Sequence, residues 1–203
     1  KALNYDKNAD QHFNLISALH KSLRSSDTDA ALYWLARMLL SGEDPNYILR
    51  RLTRFANEDV GLADPQAIQN SIAAWQTYDR LGSPEGELAI AQLVIYLGTC
   101  PKSNSVYKAW SDVQSFTKIH GSLSPPMSIL NAPTKLMKDV GYGKGYIYDH
   151  NAENAFSGQN CFPDEINRKQ FYFPEERGFE REISKRLSWW NKLRNKSLKI
   201  NDK

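Results

Sequence analysis

Cysteine is scarce in this sequence, which contains two among 203 residues, Cys100 and Cys161, without Cys-x-x-Cys spacing. This argues against a disulfide framework and against a zinc finger, and it is typical of proteins from a reducing compartment. Long apolar runs are missing too: none approaches the roughly 20 residues that cross a bilayer, and no signal-peptide pattern begins the chain. We therefore expect a cytoplasmic protein without a membrane partner.

Catalytic motifs are also missing. The segment Gly141-Tyr-Gly-Lys-Gly145 matches neither the Gly-x-x-x-x-Gly-Lys-Ser/Thr phosphate loop nor the Gly-x-Gly-x-x-Gly dinucleotide motif, so it predicts a structural turn. A thiol–imidazole pair of Cys100 with His120, or of Cys161 with His150, lacks a third residue to orient the base. The four histidines have no spacing that indicates a metal site. We expect no catalytic residue, metal ligand or bound cofactor in this chain.

Positive charge is present but unevenly distributed. The net charge is +3. Residues 177–203 contain nine Lys/Arg and three acidic residues, so the rest of the chain has a net charge of −3. The excess positive charge therefore lies in the C-terminal segment.

Apolar residues recur at helical spacing through most of the first 120 residues. Asp44-Pro45, Asp64-Pro65 and Ser83-Pro84 each place a capping side chain before a proline at the first helical position. The run Ala30–Leu40 is apolar nearly all round, which predicts a helix in the middle of a bundle. The side chains do not repeat from helix to helix, so ordinary antiparallel helices are favoured over a solenoid. The sequence predicts an all-α fold.

The helical pattern ends near Gly141. Three glycines alternate with other residues up to Gly145, and Asn, Pro and aromatic residues follow without sustained periodicity. Residues 141–175 are therefore predicted to form an irregular or β-ribbon arm. A final helix is predicted from about residue 175 to residue 196, with acids at its start and cations at its end, as the helix dipole favours.

Two sets of residues are candidates for contacts with other molecules. In the first set, arginines 50, 51 and 54 share one helical turn, either as a solvated face paired with its own acids or as a contact to phosphate or an acidic partner. The C-terminal helix combines cations with tryptophan, which is typical both of a packing surface and of a nucleic-acid surface. The candidate DNA or partner contacts are Arg50, Arg51, Arg54, Lys135, Lys138, Lys144, Arg181, Lys185 and Arg186. The candidate subunit-interface residues are Tyr142, Tyr146, Ile183, Leu187 and Trp190.

Six blocks of this sequence resemble the C-terminal part of the RarA/MgsA family of AAA+ ATPases. The similarity extends from roughly residue 10 to residue 190, nearly the whole chain. The blocks are Asp29–Met38, Arg50–Pro65, Pro101–Tyr107, Asn131–Lys138, Gly141–Tyr146 and Phe162–Glu165.

The resemblance implies a fold related to the helical collar of clamp-loader subunits, and assembly into homotetramers. It implies a parent protein, associated with the nucleoid, that acts in recombination and repair at stalled or damaged replication forks, with DNA and single-strand-binding protein as partners. ATP and Mg²⁺ would bind in an upstream domain, because the family's phosphate loop and acidic motif have no match here. This piece would not itself be an enzyme, and the first residue, Lys1, agrees with an excised piece.

The domain organisation expected from the resemblance has three parts. Residues 1–25 are the tail end of a linker or lid region, residues 26–140 are the collar-like oligomerisation core, and residues 141–203 are the arm and basic helix of the same domain. The alternative interpretation is a module that primarily binds DNA through its basic helices.

Overall fold

The computed structural model describes the backbone of residues 9–201 and the side chains of residues 14–196. Within that range the chain forms eight α-helices and no strand, so the all-α prediction is confirmed. None of these helices combines the length and apolar character needed to span a membrane. The helices are α1 (Ala9–Arg24), α2 (Thr28–Leu40), α3 (Pro45–Phe55), α4 (Gln66–Leu81), α5 (Glu87–Thr99), α6 (Ser105–His120), α7 (Lys135–Val140) and α8 (Glu180–Asn201).

The chain divides into two compact units. The first unit comprises residues 1–108 and returns at residues 174–181, and the second comprises residues 109–173 and 182–203. Compactness thus divides the chain at other positions than the boundaries expected at residues 25 and 140, which stay a prediction. Helix α1 contributes Leu19 and Leu23 to the same hydrophobic core as α2 to α5.

Helix α5 lies at the centre of the first unit, in contact with α1, α2, α3 and α4. It buries Ile90, Leu93, Val94 and Leu97, which are four of the larger core side chains. The apolar run of α2 predicted that helix for the central place, and this prediction is wrong, because Tyr33 and Leu40 of α2 are exposed.

Close packing of helix ends depends on Gly98. A Cβ atom at this position would lie 2.7 Å from Thr28 Oγ1, at the start of α2. Real Cβ atoms essentially never approach that closely, so only glycine lets the end of α5 meet the start of α2 without a shift.

Two of the three predicted helix starts are found. The Asp44 carboxylate accepts the Asn46 N–H at 2.9 Å before α3, and the Asp64 carboxylate accepts the Gln66 N–H at 3.0 Å before α4. The prediction for Ser83-Pro84 is wrong, because α5 begins at Glu87, three residues beyond the proline. A turn precedes it, in which the Gly86 N–H donates to the Gly82 carbonyl at 2.6 Å.

The second unit has almost no buried core. Among its described side chains Pro126 alone is buried. Aromatic contacts hold it locally: the Phe116 and His120 rings stack with centroids 3.8 Å apart, and the Phe171 ring lies edge-on to Phe116 at 5.5 Å. A surface without an interior behind it is unusual for a folded segment of this length.

Irregular backbone fills most of residues 141–175. The segment contains single 3₁₀ turns at Asp149–Asn151 and Glu153–Ala155, and the β-ribbon alternative is not found in it. Helix α8 begins at Glu180, not near residue 175 as predicted. The reason is the contact of residues 174–181 with the first unit, described below.

Candidate functional site

Residues 174–181 form a docked segment on the first unit. The Glu180 side chain has no exposed surface, and its carboxylate accepts hydrogen bonds from the Ser105 hydroxyl and, at 3.0 Å, from the Glu175 backbone N–H. The Phe179 N–H donates to the Ala63 carbonyl at 2.8 Å. A buried carboxylate is costly unless such donors satisfy it, so these bonds fix the point where α8 begins.

Gly178 makes this docking sterically possible. Its φ is +52°, and a Cβ atom there would lie 2.1 Å from the Ala63 carbonyl oxygen and 2.7 Å from Pro101 Cγ. The backbone of the docked segment therefore touches the backbone of the first unit directly, which only glycine permits.

The three arginines of α3 have different surroundings. The Arg50 guanidinium lies over the Tyr47 ring, 5.5 Å from its centroid. Arg54 Nε pairs with Glu58 Oε2 at 2.6 Å. Arg51 is half-buried, and its Nε has no hydrogen-bond partner among the described residues. The arginines that the sequence grouped as one patch are thus one stacked, one paired and one partly enclosed cation.

Arg51 lies close to a buried histidine. His20 is 5% exposed, and its ring meets the Phe55 ring edge-on with centroids 5.6 Å apart. Burial lowers the pKa of His20 to about 4, and the positive charges of Arg51 and Arg24 lower it further within that shift. His20 is therefore neutral near pH 7.

A π turn next to α3 supports this region. Residues Ala56–Val60 form the turn, and within it Asp59 binds Arg24 with two hydrogen bonds, at 2.6 Å and 3.2 Å. The Asp59 carbonyl also accepts the Ser103 N–H at 2.8 Å. Single π turns inside helices often mark functional positions, and this one joins α1 to the start of α6.

Cys100 is enclosed by polar partners. Asp64 Oδ2 accepts the Tyr96 hydroxyl at 2.6 Å and lies 3.5 Å from Cys100 Sγ. Burial, then the charge of Asp64, raises the pKa of the Cys100 thiol to about 12. This thiol stays protonated, which is unsuitable for a nucleophile. Across the described residues, no group of three or more His, Cys, Asp or Glu side chains is placed to hold a metal ion.

The Gly141–Gly145 turn uses its amides internally. The Gly143 N–H donates to the Met127 carbonyl at 2.8 Å, and the N–H groups of Lys144 and Tyr146 donate to carbonyls within the turn. A phosphate-binding loop needs several free N–H groups aimed at the ligand, so this turn is structural.

Helix α7 leaves apolar side chains in solvent. The Thr134 hydroxyl caps it by accepting the Met137 N–H at 3.2 Å, and Gly141 ends it in the left-handed conformation. Leu136 is 73% exposed and Val140 is also exposed. Lys135, Lys138 and nearby Lys144 are exposed beside them.

The same is true of much of the second unit. These side chains scatter over several elements, and an exposed apolar set of this size is typical of a surface that another protein covers. The exposed large apolar side chains are Trp110, Ile119, Met127, Leu136, Met137, Val140, Tyr146, Ile147, Tyr148, Phe173 and Trp189.

Of the predicted interface residues, Tyr146 lies within this set. Tyr142, Ile183 and Leu187 are half-buried. The Trp190 ring packs on the Phe156 ring with centroids 5.0 Å apart, inside its own chain.

Sequence reasoning missed Leu136, Val140 and Ile147. The available signal was that a helix of six residues cannot bury apolar residues on several of its sides.

The cations predicted on α8 lie apart from those on α3. Arg181 Nε donates to the Glu176 carbonyl at 2.9 Å, within the first unit. Lys185 pairs with Glu182 at 2.6 Å, and Arg186 is exposed. The structure therefore distributes the predicted cations over separate surfaces.

The chain matches known proteins over most of its length. A family model described as "MgsA AAA+ ATPase C terminal" matches residues 25–191. A protein of Coxiella burnetii named "Replication-associated recombination protein A" is 48% identical over 190 residues, which are 93% of this chain and 43% of the relative. The protein of that name from Haemophilus influenzae is 50% identical over 184 residues, 90% of this chain and 41% of the relative.

A eukaryotic relative shows the same pattern. "ATPase WRNIP1" of Dictyostelium discoideum is 44% identical over 174 residues, 86% of this chain and 19% of the relative. The chain spans about two fifths of the length of the bacterial relatives named above. On the match of residues 25–191 and on these identities, the chain belongs to the C-terminal domain family of the MgsA AAA+ ATPases.

Proposed function

We propose that this chain is the self-association domain of an AAA+ ATPase that maintains replication forks and acts in recombination and repair. Its copies form a homotetramer with a collar-like core, which holds the ATPase domains of the parent protein in a fixed arrangement around DNA. ATP and Mg²⁺ bind in an upstream domain, and this chain contributes no catalytic group. The names of the relatives support the process, and the surface of the second unit supports the assembly.

The observation that carries this proposal is the composition of the second unit's surface and interior. Pro126 is the one buried residue among its described side chains, whereas large apolar residues from α6, α7 and α8 are exposed. Each such side chain gains about 1.5–3 kcal/mol when fully buried. A second copy of the chain supplies the missing cover.

The charged residues around α7 fit the same interpretation. Lys135, Lys138 and Lys144 are exposed next to the apolar residues, where they would form the polar rim of an interface. Lysine stems can lie along apolar surface while the ammonium groups stay in water. The rim also keeps a dissociated copy in solution.

Sedimentation of variants tests the proposal. In Leu136→Glu/Val140→Glu, two apolar side chains worth about 3 kcal/mol together are lost from the interface, so the dissociation constant rises at least about a hundredfold. Leu40→Glu is the matched control, since Leu40 is equally exposed but lies in the first unit. We expect the wild type and the control to sediment as tetramers, and the double variant, with unchanged helical circular dichroism, as a monomer. A wild type that is monomeric at micromolar concentration contradicts the proposal.

A second function, contact with DNA phosphates, has support from α8. Lys192 and Lys196 are exposed on this helix together with Lys185 and Arg186. Cations clustered on one helix give binding that weakens steeply as salt rises. The wild-type chain should therefore bind labelled DNA at low salt and release it at high salt. Single-strand-binding protein is a further proposed partner of the parent protein.

A further inference from the structure

Two arginines of the second unit, Arg168 and Arg194, have similar environments. The Arg168 Cζ lies 5.4 Å from the centroid of the Phe162 ring, and the Arg194 Cζ lies 4.9 Å from the centroid of the Phe156 ring. Stacking holds the flat face of a guanidinium and leaves its N–H edge for a ligand. Neither arginine forms an ion pair with any carboxylate of the described residues.

The two guanidinium groups are also near each other. Burial lowers the pKa of Arg194, and the positive charge of Arg168 lowers it further. Cys161, which precedes the Phe162 ring in the chain, is the other group that acts on Arg194. Arg194 Nε is buried and has no hydrogen-bond partner among the described residues. Two like charges held together with an unsatisfied donor are costly, and an anion between them would compensate both.

The surroundings indicate what kind of anion this is. The Phe156 ring under Arg194 contacts the Trp190 ring, which meets the Trp189 ring edge-on at 4.4 Å. Trp189 is 44% exposed. Lysines precede and follow Trp189 along one exposed stripe of α8, at positions 185, 192 and 196. Exposed aromatic rings between cations are typical of surfaces that stack bases of single strands, whereas an acidic peptide needs no such ring.

We propose that Arg168 and Arg194 together bind a backbone phosphate of single-stranded DNA, while Trp189 stacks on a neighbouring base. This site deepens the DNA contact proposed above and rests on it. It involves none of the residues predicted from the sequence as DNA contacts. It also explains why two arginines far apart in the chain share a surface without a carboxylate.

A salt titration of DNA binding tests the site. The probe is fluorescently labelled oligothymidine, with binding measured by anisotropy between about 50 and 200 mM salt, where phosphate contacts change affinity most clearly. Each lost phosphate contact on a single strand reduces the slope of log affinity against log salt by about 0.7. Arg168→Gln/Arg194→Gln should therefore reduce the slope by about 1.4. Trp189→Ala should weaken binding roughly tenfold or more without changing the slope.

Lys118→Gln is the control, because Lys118 is an exposed cation of the same unit. It should keep the wild-type slope. If the wild type itself does not bind, the proposed DNA contact fails; if the wild type binds and the arginine variant keeps its slope, this site alone fails.

Two further outcomes would overturn the site. One is an arginine-dependent preference for polyglutamate over oligothymidine. The other is a changed sedimentation of the arginine variant, which would place Arg168 and Arg194 in subunit assembly. Unchanged sedimentation and circular dichroism accompany the expected result.

Discussion

Replacing Gly178 by alanine tests how the docked segment is held. At φ +52° an L-residue costs about 1 kcal/mol in backbone strain. The new Cβ atom would also lie 2.1 Å from the Ala63 carbonyl oxygen, so the two backbones must separate. That movement weakens the 2.8 Å hydrogen bond from the Phe179 N–H to the same carbonyl, which is worth about 1 kcal/mol. We expect Gly178→Ala to lower the free energy of unfolding by about 2–4 kcal/mol.

Gly42→Ala separates strain from contact. Gly42 has a φ of +83°, and a Cβ atom there would have no neighbour within 4 Å. This control therefore has the backbone strain alone, about 1 kcal/mol. Urea denaturation at a single protein concentration compares the two variants, because self-association makes stability depend on concentration.

Hydrogen exchange at the Phe179 amide identifies where the stability is lost. Exchange of this amide should become faster in Gly178→Ala and stay slow in Gly42→Ala. Equal stability of the two variants, or a Phe179 amide that remains protected in both, would refute the reasoning.

The remaining predictions concern titratable groups. His20 has a pKa of about 4 in the folded chain against 6.5 when unfolded, so the unfolded state takes up the proton first and the free energy of unfolding falls by about 3 kcal/mol from pH 6.5 to pH 4. Denaturation at several pH values should show this decline in the wild type and lose it in His20→Gln; parallel curves would contradict it. A disulfide reagent should modify the exposed Cys161 quickly and the buried Cys100 only on unfolding. Cys161→Ser removes the fast phase, and two fast thiols per native chain would be the contrary result.

Local chemistry made parts of the fold predictable. The caps at Asp44 and Asp64 depend on two or three consecutive residues, which the sequence displays directly. The pairing of Arg54 with Glu58 follows from their i, i+4 spacing. The central place of α5 was not predictable in this way, because it depends on which helices surround it.

The candidate surfaces were harder to anticipate for the same reason. Arg168 and Arg194 belong to an irregular segment and a distant helix, and no spacing rule relates them. The exposure of Leu136 and Val140 depends on the absence of a partner element, since apolar residues in a helix ordinarily indicate burial. The buried position of Glu180 was likewise hidden, because charged residues near a helix start are usually solvated.

The docking of residues 174–181 also acts as a noncovalent staple. It joins Glu180 to Ser105, which lie 75 residues apart in the chain, and closing a loop of that length costs about 4 kcal/mol of chain entropy. A cost of this kind is charged once for the whole excursion, so the contacts of a few residues hold the two ends of the intervening chain together. Losing those contacts would release about a third of the sequence as a single tethered loop, with its far end free.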